Sequence, residues 1–172
     1  DHYQYVLPIL RAENIQGSFY IPSSSLLERK VLDVNKVHYI LAAVENPENL
    51  VPFIDKRIEE HAEAAPQIAD YRSRFLMKNR WDTAGVNYVK RLLQFALPDT
   101  LRLTLIDELF STYVTADEKS FAEELYLTLD QARLMLSNGM HIGGHGGQHI
   151  WLNRTSEEHQ RTDIVQSIKM LD

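Results

Sequence analysis

Leu127-Thr128-Leu129-Asp130-Gln131, followed by Gly139-Met140-His141-Ile142-Gly143-Gly144-His145-Gly146-Gly147-Gln148-His149, is the stretch that decides how the chain is read. Thr128 and Gln131 have the spacing of a capping box, in which the hydroxyl accepts from the amide three residues on and the Gln side chain reaches back. The helix they open is predicted to run to Asn138, with Gly139 as the left-handed residue just past its end. Met140-His141-Ile142-Gly143 then reads as a short strand. The glycines that follow let the backbone turn tightly and approach a bound group closely. Helix, strand and glycine loop in this order suggest an α/β unit, a class of fold that binds ligands at the carboxyl ends of its strands.

Downstream, Thr155-Ser156-Glu157-Glu158 reads as a second capping box, opening a helix with Ile164, Ile168 and Leu171 on one face. Upstream, Tyr3, Val6, Leu7 and Leu10 recur at helical spacing, a helix already under way at Asp1. Asn14 and Gly17 bracket its end, Ser18-Phe19-Tyr20-Ile21 is a strand by residue type, and Ser23-Ser24-Ser25 reads as a polar loop. From Val31 to about Ala116 the pattern is helical, punctuated by Pro47, Pro66 and Pro98. Its apolar stripes are Val34/Val37/His38/Leu41, Leu50/Phe53/Ile54/Ile58, Val86/Val89/Leu92/Leu93 and Leu103/Ile106/Phe110/Tyr113. The expected organisation is a single α/β domain over 1–172 with an all-helical insertion of about 31–120.

Composition narrows the chemistry. A hydrophobic fraction of 44% and a charged fraction of 24% are those of an ordinary globular domain. A net charge of −6 argues against nucleic acid as a partner, and no apolar run is long enough to span a membrane. Asp1-His2-Tyr3 has neither the basic nor the apolar region of a leader peptide, and the compartment is left open. With no cysteine, thiolate nucleophiles, disulfides and sulfur-ligated zinc are excluded, so any metal must be held by His, Asp or Glu.

His145 and His149 are the candidate ligands, because two imidazoles three residues apart can aim at one point. The competing reading of the same residues is a structural glycine loop with surface histidines. His141 alternates with Met140 and Ile142 and so points away from their side of the strand.

These motifs resemble one signature of the polysaccharide deacetylases, carbohydrate esterase family 4, in which an LT-x-x-Q…G-x-x-IG-x-H-x-x-x-H run joins helix, strand and metal-binding loop. Leu152 and the Ser156-Glu157-Glu158 helix fit as well. Asp1-His2-Tyr3…Val6-Leu7-Pro8-Ile9-Leu10 and Gly17-Ser18-Phe19-Tyr20-Ile21-Pro22 are similar to the family segment just after its first motif. The resemblance covers about half the chain and implies a partial, distorted (β/α) barrel. It also implies hydrolysis of N- or O-linked acetyl groups on a carbohydrate, with His145 and His149 ligating a divalent metal, Zn2+ by ligand type. In that chemistry a metal held by two His and one Asp activates water and polarises the carbonyl, an Asp takes the proton, and a His protonates the leaving group.

Two departures stand out. Gly146 occupies a position that the family commonly fills with Ser or Thr. The Thr-Phe-Asp-Asp-Gly type run, with the ligand Asp and the general-base Asp, is expected ahead of Asp1, and the motif with the general-acid His beyond Asp172. The chain by itself is therefore expected to be inactive, since two ligands seldom hold zinc tightly. Asp1 is expected at the helix start, or supporting a ligand from behind, rather than as the third ligand. His38 is expected to be packed, and His2, His61 and His159 solvated. Trp151, two residues past His149, is the candidate for stacking on a sugar ring, and Trp81 is expected as a packing anchor. Two other classes share these features: a relative acting on a non-saccharide amide, and a non-catalytic helical interaction domain.

Overall fold

A computed structural model describes residues 1–172, and the chain divides into two compact units. The first combines Asp1–Leu32 with Glu118–Asp172, and the second is Asp33–Asp117. No helix is long and apolar enough to cross a membrane.

In the first unit a wide π-turn, His2–Val6, runs into α1, Leu7–Ala12. The predicted stripe is the one that packs: Leu7 is buried with Phe19, Met135 and Met140, and Tyr3, Val6 and Leu10 lie against them. Strand β1, Ser18–Ile21, buries Phe19 and Ile21 and turns Ser18 and Tyr20 outward, the period of a half-buried strand. It pairs in parallel with β2, His141–Gly144, in the register Ser18↔His141 to Ile21↔Gly144. Parallel strands need a crossover. Here the crossover ends in α7, Glu118–Leu125, and α8, Leu129–Ser137, while the whole second unit is spliced into it. The fold is thus α/β at the level of one parallel pair with helices packed on it, and no barrel is closed.

The capping box at the head of α8 forms as expected: Gln131 N donates to Thr128 Oγ1 at 3.2 Å and Thr128 N to Gln131 Oε1 at 3.0 Å. Two other local readings need correction. Ser23-Ser24-Ser25 is not a solvated loop. All three serines are buried, and Ser24–Glu28 forms a π-turn. Burial is tolerated because the Ser25 hydroxyl donates to the Pro22 carbonyl at 2.8 Å and the Ser23 and Ser24 amides are bonded across the unit. The last helix, α9, Glu157–Lys169, is capped by Ser156, whose hydroxyl accepts from His159 N, rather than by Thr155. Its Ile164, Ile168 and Leu171 are exposed, and Asp163 and Ser167 face inward instead. The reason is the glycine strand end: Ser167 lies so close to Gly144 that only a small side chain can face it.

The second unit is all helical: α2 Asp33–Ala43, α3 Leu50–Glu59, α4 Ile68–Phe75, α5 Ala84–Arg91 and α6 Asp99–Tyr113. Pro47 and Pro66 each open a short 3-10 turn and Pro98 precedes α6, as the sequence suggests. Buried Ile54, Ile58, Tyr88, Leu92, Leu93 and Leu105 make its core. The Tyr88 hydroxyl donates to Asp55 at 2.5 Å, and Asp55 also meets Arg72 at 3.3 Å. Burial, reinforced by the Asp55 carboxylate, pushes the Tyr88 phenol far above its ordinary range.

Here the predicted stripes are partly rotated. His38 is exposed, not packed, and Val37 and Ile40 go inward beside Lys36, whose ammonium reaches Asp107 at 2.7 Å. In α6 Leu101, Leu105 and Leu109 join Ile106 and Phe110, leaving Leu103 and Tyr113 exposed. On the same helix Arg102 pairs with Asp33 at 3.1 Å and with Asp99 at 3.2 Å. Trp81 is no packing anchor: it is 81% exposed. Asn79 Oδ1 accepts from the Trp81 and Asp82 amides, and this tight turn carries the indole outward, where the Arg80 guanidinium lies 4.7 Å from its ring centre.

Candidate metal centre

Because β1 and β2 are parallel, their carboxyl ends, Ile21 and Gly144, lie side by side. The glycine loop leaves from this edge. His145 N donates to the Ile21 carbonyl at 3.0 Å, Ser23 N to the Gly146 carbonyl at 3.1 Å, and Ser24 N to the Gly147 carbonyl at 2.9 Å. Gly146 has φ +73°, a left-handed conformation that glycine adopts freely. Gln148 N then donates to Asp163 Oδ1 at 2.8 Å, and His149 follows with φ +58°. A left-handed backbone is unusual for a residue with a Cβ and costs about 1 kcal/mol or more.

This path brings the two expected ligands together. The His145 and His149 ring centroids are 4.9 Å apart with 54° between the planes, and both residues are exposed. Two imidazoles bound to one tetrahedral zinc through nitrogens about 2.1 Å from it have centroids about 5 Å apart. The pair therefore has the spacing that shared ligation requires. The fit stops at two donors, because no group of three or more His, Cys, Asp or Glu side chains is placed to hold a metal ion. Asp1 is exposed and stands at the N-cap position of the His2–Val6 turn, without a side-chain capping hydrogen bond.

Trp151 is 55% exposed and lies 6.0 Å, ring centre to guanidinium carbon, from Arg154. An exposed indole so soon after His149 suits contact with an apolar ring face. His141 is exposed, edge-on to Tyr20 at 6.0 Å, on the outer face of the strand pair. His2 and His159 are exposed as expected, although the His2 ring sits 5.3 Å from that of Phe19. His61 departs from expectation. It is half-buried rather than solvated, and its Nδ1 is enclosed without a hydrogen-bond partner.

Asp163 was not legible as a site residue. It sits in mid-helix without a capping signal, and only its spacing of four from Ser167 marks it as part of a small polar stripe. That stripe lies against the glycines. A Cβ at Gly146 would stand 2.6 Å from Asp163 Oδ2, so the Ser or Thr that the resemblance expects after the first histidine would have to displace that carboxylate, on a left-handed backbone that already disfavours it. No family model matches the chain, and searches of curated proteins and of solved structures return no match.

Proposed function

We propose that this chain carries the histidine half of a metal-dependent hydrolase centre that removes N- or O-linked acetyl groups from a carbohydrate, in the manner of the polysaccharide deacetylases it resembles. The observation that supports the reading is the closeness of His145 and His149, with ring centres 4.9 Å apart, just past the carboxyl ends of two parallel strands. On this reading β1 and β2 are neighbouring strands of a distorted (β/α) barrel.

His145 and His149 would hold the ion, Zn2+ by their ligand type, through neutral imidazole nitrogens. When bound, such an ion supplies Lewis acidity toward a carbonyl and activates water at neutral pH. The residues of this chain do the rest by position. The glycine loop brings the two imidazole rings close together, and exposed Trp151 offers a flat apolar face against which a pyranose ring can stack. In the pattern the chain resembles, one Asp would complete the ligand set and a second Asp would act as general base. Protons compete with the metal for both imidazoles, so acid weakens binding.

Zinc titration, followed at the imidazole nitrogens by 1H–15N NMR and by calorimetry, tests the ligand assignment. One weakly held ion per chain is expected, lost in His145→Ala and in His149→Ala. A wild-type chain whose two rings ignore zinc would end the proposal. Where the ligand set is complete, chelator-sensitive acetate release from N- or O-acetylated oligosaccharides is the expected activity. Turnover of simple amides alone would move the substrate to a non-saccharide amide.

A further inference from the structure

The loop that bears both imidazoles is tethered at four consecutive residues, and the tethers differ in kind. Those at His145, Gly146 and Gly147 join backbone to backbone, the first to Ile21 at the strand end and the other two to the amides of Ser23 and Ser24 that open the Ser24–Glu28 turn. Side-chain identity hardly affects them. The fourth, Gln148 N to Asp163 Oδ1 at 2.8 Å, is made by a side chain, and it is the one next to His149.

Asp163 is 5% exposed, yet it sits in the middle of a helix, with no helix terminus to favour its charge. A carboxylate is kept in such a place when hydrogen bonding compensates its burial. Its oxygens lie 2.6 Å from where a Cβ of Gly146 would stand and 3.0 Å from that of Gly147, in space that only glycines leave open. The residue after the anchored amide, His149, is held at φ +58°, a conformation that persists when the surroundings over-determine it.

We infer that Asp163 is a positioning residue: by holding the Gln148 amide it sets the left-handed turn at His149, and thereby the spacing of His145 and His149 as a ligand pair. This rests on the metal-binding reading above. The two can fail separately.

The test combines zinc titration at the imidazole nitrogens with hydrogen exchange at the Gln148 amide. In the wild type that amide is protected. Asp163→Ala is expected to weaken zinc binding about ten-fold or more, the usual scale for losing a group that orients a ligand. Asp163→Asn keeps an oxygen to accept the same N–H and is expected to stay within about three-fold of wild type, since a neutral acceptor is only moderately weaker than a charged one. Met135→Ala, a core truncation in the same unit, lowers stability and leaves zinc affinity unchanged, which separates positioning from mere loosening of the fold. Unchanged affinity in Asp163→Ala overturns the inference, and so does freely exchanging Gln148 in the wild type. An Asp163→Asn variant as weak as Asp163→Ala, or a Met135→Ala variant equally weakened, also overturns it. Should Asp163→Ala fail to fold, wild-type exchange and the Asp163→Asn affinity still decide. If the wild-type rings show no zinc shift, the metal reading falls and takes this inference with it.

Discussion

Gly146 and Gly139 both hold left-handed backbones, φ +73° and +81°, but their surroundings differ. Gly139 ends α8 with nothing within 4 Å of a would-be Cβ, whereas Gly146 has Asp163 Oδ2 2.6 Å away. Gly139→Ala therefore loses only the backbone preference, about 1 kcal/mol. Gly146→Ser adds a clash with a buried carboxylate and should cost about 2–4 kcal/mol in urea denaturation. Equal costs for the two variants would mean that the carboxylate is not packed under the loop. His149 carries a similar backbone strain beside the same carboxylate, which is how neighbouring residues come to share one geometric role.

At the scale of elements, caps and ion pairs set where helices begin and how they respond to pH. Ser156 caps α9 by accepting from His159 N, and Thr155 lies one residue outside. Ser156→Ala should cost about 1 kcal/mol and Thr155→Ala clearly less, in thermal or denaturant unfolding. A larger cost at Thr155 would return the cap to the position the sequence suggests. Asp82, just ahead of α5, is held below the usual carboxylate range, chiefly by its hydrogen bond from the Lys90 ammonium at 2.7 Å. A carboxyl depressed in the folded state contributes stability that is fully present above its ordinary value of about 4 and is lost as pH falls through the depressed one. The stability difference between wild type and Asp82→Asn should thus be flat from about pH 7 to 5 and shrink below about 4. A difference that grows in acid would contradict the pairing.

At the scale of the molecule, each unit has its own core. The segment Asp33–Asp117 buries Ile54, Tyr88, Leu92 and Leu105 within itself and satisfies the buried Asp55 with its own Tyr88 and Arg72. A fragment of residues 33–117 is therefore expected to fold alone, with sigmoidal thermal unfolding and high helicity by circular dichroism. A gradual, non-cooperative melt would show that this core depends on the rest of the chain. The other unit has the smaller apolar core: a two-stranded sheet covered by small apolar clusters, with Ile164 and Ile168 of α9 and Leu171 just beyond it left uncovered. A sheet of two strands owes its stability to what packs on it.

The sequence by itself determined what neighbours in the chain decide. The capping box at Thr128, the left-handed stop at Gly139, the strands near Ser18 and His141, the proline breaks and the spacing of His145 and His149 all follow from sterics and hydrogen bonds within a few residues. Only the tertiary structure decided the rest. It buried Ser23–Ser25, with the amides of Ser23 and Ser24 bonded to residues more than a hundred positions away, turned His38 and Trp81 outward, and chose the face of α6 that is buried. It also brought the two imidazole ring centres to 4.9 Å and placed Asp163 against the backbone of the loop that carries them. A helix with apolar residues on several faces can bury more than one of them, and the choice belongs to whatever packs against it. The ring spacing likewise depends on a strand edge, a serine turn and a helix that meet only after the chain has folded.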